Sequence, residues 1–264
     1  MNVCRLCKCE AELQKSHIIP KFIGGWIKDT SVTGFLRAVD TPNLRRQDLF
    51  KEKMLCKKCE NIFSNYEKYF AETIFHPYMN STNSTYNYSY DNRLSKFCAS
   101  LSWRVLVYIT ENLNFKTNPD FEKAKIKFES FLLNESTNLD QYEQHIIPLE
   151  GGSDLPLYKK HSNFNSYFQR AIDTDLLQFK NGSMIYIKIP KFILLSNISY
   201  KKINKMRSSR VQLNKGEIIP KEYFLSSELY DYLDYRLDFV QKNITDIITD
   251  AQNEKILETV RKKT

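Results

Sequence analysis

The sequence predicts an α+β protein, in which a small cysteine-rich module is followed by a larger mixed α+β domain ending in long helices. Three observations predict this fold. Two Cys-x-x-Cys pairs lie near the start of the chain, apolar residues alternate with period two within 184–196, and a heptad-like apolar pattern follows Ser226. With 264 residues, 42% of them hydrophobic, the chain is long enough for one or two domains with sizeable cores.

The cysteine pairs are Cys4-x-x-Cys7 and Cys56-x-x-Cys59. Each CxxC turn directs two sulfurs toward one point, and Zn²⁺ binds four thiolates in tetrahedral geometry. Paired cysteines in a reducing compartment indicate metal ligands rather than disulfides. These residues therefore predict one structural zinc ion, with a redox centre as a weaker alternative. Cys9 is expected to be a spare thiol.

Residues 1–80 form the predicted zinc module. A long loop is expected from about 24 to 46 because two adjacent glycines, Gly34 and Pro42 lie in it, with a strand or hairpin arm at 32–39. After the last cysteine the pattern becomes helical, since apolar residues recur at three- and four-residue spacing. These residues are Ile62, Phe63, Tyr66, Tyr69 and Phe70.

Residues 90–264 form the predicted second domain, an accessory, recognition or oligomerisation domain, and the polar tract Asn80 to Asn92 is expected to be an exposed linker. Asn181-Gly182 predicts a hairpin turn. The predicted elements are a helix at 94–113 with Cys98 in its core, a helix from Pro119 to about 133, and strands or short connectors at 142–149, 167–179 and 184–196.

The C-terminus predicts a long amphipathic helix, or two helices, from Ser226 onward. Its apolar stripe either packs on the domain core or forms the seam of a homodimer or of a complex with a partner protein. The residues of the stripe are Leu229, Leu233, Leu237, Val240, Ile244 and Ile247.

The net charge of +8 favours a polyanionic partner, although a lysine-rich soluble surface would give the same value. The chain has only 7 glycines and no GxGxxG or GxxxxGK[ST] motif, which argues against phosphate-binding-loop enzymes. No apolar stretch has the length of a spanning helix, and the first residues carry no apolar signal core. A cytoplasmic protein without a membrane partner is therefore expected.

A Ser-His-Ile-Ile-Pro run at 16–20 lies between the cysteine pairs, and a Leu-Cys-Lys-Lys-Cys-Glu run at 55–60 closes them. Over about residues 1–70, these motifs resemble the HNH family of ββα-metal endonucleases. The resemblance implies a treble-clef module in which zinc holds a two-stranded hairpin against a helix. It also implies metal-dependent hydrolysis of phosphodiester bonds in nucleic acid, with DNA expected, in a setting such as bacterial restriction or antiphage defence.

The resemblance assigns His17 to the general base and the four paired cysteines to structural zinc. Glu60 occupies the position of a metal-binding His or Asn, and Asn61 replaces it if the register shifts by one. Ser16 stands where the family has an acidic or histidine ligand. A catalytic Mg²⁺ or Mn²⁺ ion would therefore depend on Glu60 and Ser16, helped by Ser64 or Glu67 on the same helix face.

Basic residues of the same module are the predicted contacts with nucleic-acid phosphates. They are Lys15, Lys21, Arg45, Arg46, Lys57 and Lys58. The alternative interpretation is a non-enzymatic zinc-knot protein that binds nucleic acid or a protein, and Ser16 favours it because a metal ligand is missing there. The second His-Ile-Ile-Pro run, starting at His145, has no cysteine near it and predicts a buried strand end. His161 is expected to be exposed.

Overall fold

The computed structural model describes residues 2–81, 87–113, 116, 118–149, 156–219 and 223–262. These residues form a mixed α+β structure with several small antiparallel sheets, as the sequence predicts. The elements of the N-terminal part are β1 (Asn2–Val3), β2 (Glu10–Ala11), β3 (Leu13–His17), α1 (Lys21–Asp29), β4 (Leu36–Ala38), β5 (Thr41–Arg46), β6 (Lys51–Cys56) and α2 (Lys57–Phe70).

One antiparallel strand pair and one helix organise this part. The pair, here called the hairpin, consists of β3 and β6, which are connected through α1, β4 and β5. β3 pairs antiparallel with β6, so that Leu13 lies opposite Cys56 and His17 lies opposite Lys51. β6 continues directly into α2, because Cys56 is both the last residue of the strand and the N-cap of the helix. The β1–β2 turn carries the first cysteine pair and contains Lys8 in a left-handed conformation, with φ of 59°. Both cysteine pairs thus lie beside the start of α2.

The expected loop at 24–46 is largely ordered, which corrects the prediction. Its first residues belong to α1, and β4 and β5 form a hairpin that covers only part of the expected strand at 32–39. Gly24 and Gly25 suggested a loop, yet Gly24 lies inside α1 because Leu49 packs directly against it. A Cβ atom at Gly24 would lie 2.7 Å from Cγ of Leu49, too close for ordinary contact.

Alanine substitutions at the two glycines should have opposite effects. Gly25→Ala meets no atom within 4 Å and removes a residue of poor helix propensity, so it should stabilise the protein by about 0.5–1 kcal/mol. Gly24→Ala should be less stable than Gly25→Ala by about 1–3 kcal/mol, because it displaces Leu49. Urea unfolding of both variants measures this difference, and equal stabilities would contradict the packing of α1 on Leu49.

The predicted helices of the middle region are confirmed. Asp91 accepts a hydrogen bond from the Arg93 amide at the start of the helix Asn92–Asn112, and Asn118 caps the helix Pro119–Leu132. Cys98 is buried, as expected. The elements are a π-helical turn at Ala71–Phe75, α3 (His76–Asn80), β7 (Tyr88–Asp91), α4 (Asn92–Asn112) and α5 (Pro119–Leu132).

Only part of the polar tract at 80–92 is a loop in the described structure. Residues 82–86 lie outside the described part of the chain, whereas Tyr88–Asp91 pair with a later strand, Lys215–Ile218. The N-terminal module packs on α4, and one hydrophobic core includes residues from both sides of the tract. The boundary between residues 80 and 90 stays a prediction.

A four-stranded antiparallel sheet, in the order β8–β11–β10–β9, organises the described remainder of the chain. Its strands and the elements around them are β8 (Gln144–Pro148), α6 (Pro156–Lys160), α7 (Phe164–Arg170), β9 (Asp173–Phe179), β10 (Gly182–Ile189), β11 (Phe192–Asn197), a 3-10 helix (Ile203–Ser209), β12 (Lys215–Ile218), α8 (Ser227–Ile247) and α9 (Asp250–Arg261).

The alternation within β10 is confirmed, but both faces of the sheet are covered. Ile185 and Ile187 belong to the core that contains α4, whereas Met184 and Tyr186 belong to a second core with α7 and α8. The hairpin turn before β10 is also confirmed: Gly182 has φ of 115°, and a Cβ atom there would lie 2.1 Å from the Ser199 carbonyl oxygen.

Three details of this region differ from the prediction. Residues 164–170 form α7 before β9 begins, because Phe164 and Phe168 lie one helical turn apart on the second core. Residues 184–196 are two strands, β10 and β11, separated by a turn with Lys191 at φ of 59°. His161 is buried rather than exposed, since its imidazole contacts Asp234 of α8 at 2.6 Å.

The predicted C-terminal helix pair is confirmed as α8 and α9, with the Ser226 side chain capping α8. The first four residues of the apolar stripe, from Leu229 to Val240, are buried in the second core, whereas Ile244 and Ile247 are partly exposed. Packing on the core therefore accounts for most of the stripe, and a homodimer or partner complex stays a prediction. Among the helices of the described residues, none combines the length and the apolar character needed to cross a membrane.

His145 is confirmed as a buried strand residue near the start of β8. Its Nδ1 atom lies 3.0 Å from Ser209 Oγ, and its Nε2 atom lies 3.7 Å from Glu143. The identical tetrapeptide at 17–20 lies in a different environment, because His17 ends a hairpin strand of the cysteine-rich module.

Candidate metal centre and histidine site

The structure gathers the sulfurs of Cys4, Cys7, Cys56 and Cys59 within 4.8 Å of one another. Cys7 Sγ and Cys56 Sγ are 3.8 Å apart, which is the sulfur–sulfur distance of about 3.8 Å expected around zinc with Zn–S bonds of about 2.3 Å. Four soft sulfur donors this close together fit Zn²⁺ well. Cys9 lies outside the cluster, with its exposed thiol directed at the Cys7 carbonyl oxygen.

The thiols of the cluster differ in how readily they ionise. Burial acts to raise the pKa of Cys4, but hydrogen bonds from backbone amides, those of Cys7 and Cys56 among them, lower it to about 7. Burial and the neighbouring sulfurs raise the pKa of Cys59 well above the usual range. A divalent cation would stabilise all four thiolates together.

His17 ends β3, and its Nε2 atom lies 2.9 Å from Oδ1 of Asp48. The other carboxylate oxygen of Asp48 lies 2.5 Å from Nζ of Lys51, opposite His17 on the hairpin. Burial would raise the pKa of Asp48, but hydrogen bonds from Lys51, His17 and the Leu49 amide hold it well below its usual range. An ionised Asp48 accepts a hydrogen bond from Nε2–H of the ring, which leaves Nδ1 as the ring nitrogen that can accept a proton.

Arg104, on α4, fixes the backbone of His17. Its Nη1 atom donates to the carbonyl oxygen of His17 at 2.8 Å and lies 2.7 Å from Oε1 of Glu67 on α2. The side chain of Arg104 is only 1% exposed, so its charge is balanced inside the protein by Glu67. Asp48 and Arg104 were not predicted from the sequence. An arginine within the apolar run of α4 is the signal that could have suggested a buried partner.

Ser16 and Glu60 meet on the other face of the hairpin. Ser16 Oγ donates to Glu60 Oε2 at 2.5 Å, and Ser16 is fully buried. Because Ser16 and His17 are consecutive strand residues, their side chains point to opposite faces. The structure therefore brings Ser16 together with Glu60, whereas the described hydrogen-bond partner of His17 is Asp48. Asn61 is exposed on α2.

Within the part of the chain that the structure describes, no second metal cluster accompanies the four cysteines. Among the described residues, the cysteines are the only set of three or more His, Cys, Asp or Glu residues whose ligand atoms converge on one point. Glu60 offers Oε1, since Oε2 accepts from Ser16, and Glu67 is paired with Arg104. One carboxylate oxygen provides too few ligands to hold a metal ion by itself. Mg²⁺ can nevertheless bind through a single carboxylate when phosphate oxygens and water complete its coordination.

Two basic cavities adjoin Asp48. The first, here the α1–α2 cavity, has a volume of about 470 Å³, and the second, the hairpin cavity, about 480 Å³. Asp48 lines both, so the partner of His17 lies between them. The basic residues are Lys21, Lys28 and Lys68 in the α1–α2 cavity, and Lys15, Arg46, Lys51 and Lys53 in the hairpin cavity.

The predicted phosphate contacts divide accordingly. Lys15, Lys21 and Arg46 lie in the two cavities beside Asp48. Arg45 instead lies over the ring of Phe35, 4.9 Å from its centroid. Lys57 and Lys58, in the first turn of α2, are exposed next to the cysteine cluster.

Comparison with protein-family models, with curated proteins and with solved structures gives no match. The chemistry available to the chain is therefore inferred from its own residues: a four-sulfur site for a metal such as zinc, an imidazole–carboxylate pair, and two cavities in which lysines and arginines outnumber carboxylates.

Proposed function

We propose that this chain is a metal-dependent endonuclease of the HNH type, which hydrolyses phosphodiester bonds in nucleic acid, with DNA as the expected substrate. The observation that carries the proposal is the His17–Asp48 pair at the end of a hairpin strand, in which Asp48 lines two cavities that also hold lysines and arginines. The order of cysteine turn, hairpin and helix, with both cysteine pairs beside the start of α2, supports the treble-clef arrangement.

The residues of the chain divide the chemical work as follows. His17 takes a proton from the attacking water at Nδ1, and Asp48 orients the ring and stabilises the imidazolium that forms. Arg104 holds the strand end in place through the His17 carbonyl oxygen. The lysines and arginines of the two cavities bind the phosphates on either side of the cleaved bond, in a salt-dependent way.

The metals have separate roles in the proposal. Zinc at the four cysteines joins the first turn, the hairpin and α2, so its role is structural. A Mg²⁺ or Mn²⁺ ion, predicted at Glu60 and Ser16 from the resemblance, would offset the charge on the departing oxygen. Ser16 is buried and donates to Glu60 Oε2, so only Oε1 of Glu60 is left to hold such an ion together with a substrate phosphate. A setting in restriction or antiphage defence stays a prediction of the family resemblance.

One observation favours the alternative, a zinc-knot protein that binds nucleic acid or a protein without cutting. Ser16 and the Arg104 guanidinium each engage one of the carboxylates expected to serve the catalytic ion, Glu60 and Glu67. The test that separates the two functions is incubation of supercoiled DNA with the protein and Mg²⁺ or Mn²⁺. Metal-dependent nicking supports the nuclease, and binding without nicking in either metal supports the alternative.

Asp48→Asn should separate cleavage from binding. The variant loses the charge that stabilises the imidazolium, so nicking should fall by about 10- to 100-fold. Affinity for DNA should be unchanged or higher, because a negative charge between two basic cavities is removed. Nicking rates and binding titrations on the same preparation measure both quantities.

Glu52→Gln is the matched control for Asp48→Asn. Glu52 also lines the hairpin cavity, but its carboxylate is not the described partner of His17. This variant should gain affinity in the same way and keep its nicking rate. Equal losses of nicking in both variants would show that Asp48 acts through general charge rather than through His17.

A further inference from the structure

A third cavity, here the apolar cavity, lies beside the histidine site and has a volume of about 510 Å³, within the range of roughly 300–1,000 Å³ typical of small-ligand sites. Its apolar lining begins with the two isoleucines that follow His17. The larger apolar side chains that line it are Ile18, Ile19, Leu49, Phe50, Tyr108 and Ile172.

The apolar cavity adjoins the hairpin cavity. Leu49 and Phe50 line both of them, so the two cavities share a wall. The position of Phe50 is fixed by its backbone, because its carbonyl oxygen accepts a hydrogen bond from the Ile18 amide at 3.2 Å. A ligand that occupies both cavities would pass over Phe50 and lie next to Asp48, the partner of His17.

The shared wall carries an aromatic surface that is open to solvent. The rings of Phe50 and Tyr108 have centroids 4.9 Å apart, and Phe50 is 49% exposed. A phenylalanine held at this exposure by a neighbouring ring offers a face on which a planar ligand can stack. Stacking of nucleic-acid bases on such rings tolerates any sequence, since every base has a π-face.

The charge of the apolar cavity is opposite to that of the hairpin cavity. Its charged lining residues are Asp40 and Asp173, and no lysine or arginine is among its described lining residues. Asp173 is already paired with Arg236, at 2.7 Å, whereas Asp40 is exposed. Phosphate would be repelled here, but the amino groups of bases are donors that carboxylates accept.

We infer that the apolar cavity binds the base of an unpaired nucleotide whose phosphate lies in the hairpin cavity. The preferred ligand is therefore single-stranded or locally unpaired nucleic acid, since a base stacked inside a duplex cannot enter the cavity. This inference rests on the proposed function in one respect only, namely that the two basic cavities bind nucleic-acid phosphates.

Binding titrations without added divalent metal test the inference. The probes are a fluorescent single strand, a strand of equal length built from abasic residues, and a blunt duplex. The single strand should bind at least about 10-fold more tightly than the abasic strand. Phe50→Ala should weaken binding of the single strand by about 5- to 100-fold and leave binding of the abasic strand unchanged, because only base stacking is lost.

Two variants control the experiment. Phe224→Ala removes a phenylalanine of the same exposure, 49%, that does not line the cavities and should change nothing. Phe50→Trp keeps an aromatic face and should retain the preference for the single strand. Unchanged affinity of Phe50→Ala for the single strand, or equal binding of the intact and abasic strands, would overturn the inference.

The outcome is separate from that of the nuclease proposal, because binding is measured without cleavage. If Phe50→Ala binds the single strand weakly while the wild type does not nick DNA, the inference of a base site holds and the nuclease proposal fails. If His17-dependent nicking is found but Phe50→Ala binds normally, the nuclease proposal stands and the base site fails. Absence of binding to every probe would overturn the inference, whereas the nuclease proposal is decided by nicking with Mg²⁺ or Mn²⁺.

Discussion

His17→Ala is expected to lower the rate of metal-dependent nicking of supercoiled DNA by about 10²- to 10⁴-fold, the range that a general base contributes. The variant removes the imidazole but keeps the backbone carbonyl to which Arg104 donates, so the end of β3 should stay in place. DNA affinity should change by less than about three-fold, because the phosphate contacts come from the neighbouring lysines and arginines. Single-turnover nicking and binding titrations measure the two effects.

The matched control for His17→Ala is His76→Ala. His76 is an exposed histidine at the start of α3, and its removal should leave nicking unchanged. The control matters because contaminating nucleases would give the same residual activity in all preparations. Equal nicking by wild type and His17→Ala would contradict the assignment of the general base. Metal-independent nicking would contradict the proposed class of enzyme.

Cys56→Ser is expected to abolish zinc binding and to destabilise the N-terminal module. Wild type should contain about one zinc per chain, since the described residues gather one four-sulfur site. Zinc binding by isolated four-ligand modules contributes about 10–16 kcal/mol to their folding, so the variant should unfold from β1 to α2 or lose much of its thermal stability. Elemental analysis and thermal unfolding measure the two consequences.

Cys9→Ser is the control for the zinc experiment. Cys9 is exposed and follows the first pair closely, but its sulfur is not part of the cluster. Zinc content and melting temperature should equal those of wild type. Wild-type protein without zinc, with its cysteines oxidised in pairs, would instead support the redox alternative. Full zinc content in Cys56→Ser would contradict the four-sulfur site.

Several local features could be predicted because they depend on residues close in sequence. The two CxxC spacings predicted the sulfur cluster, and Asn181-Gly182 predicted the turn before β10. The helix pair after Ser226 followed from its cap and its apolar stripe. Where packing overrode the local signal the prediction was wrong: α1 contains two adjacent glycines because Leu49 needs the space at Gly24.

The sequence by itself determined the cysteine cluster, the turn before β10 and the C-terminal helices, of which α8 packs on the second core, since spacing and apolar period reflect local geometry. Only the tertiary structure decided what surrounds the imidazole. Asp48 is 31 residues from His17 and Arg104 is 87 residues away, and neither separation has a spacing rule. Such contacts form because distant elements share one core, and the periodicity of a single element carries no information about which partner faces it.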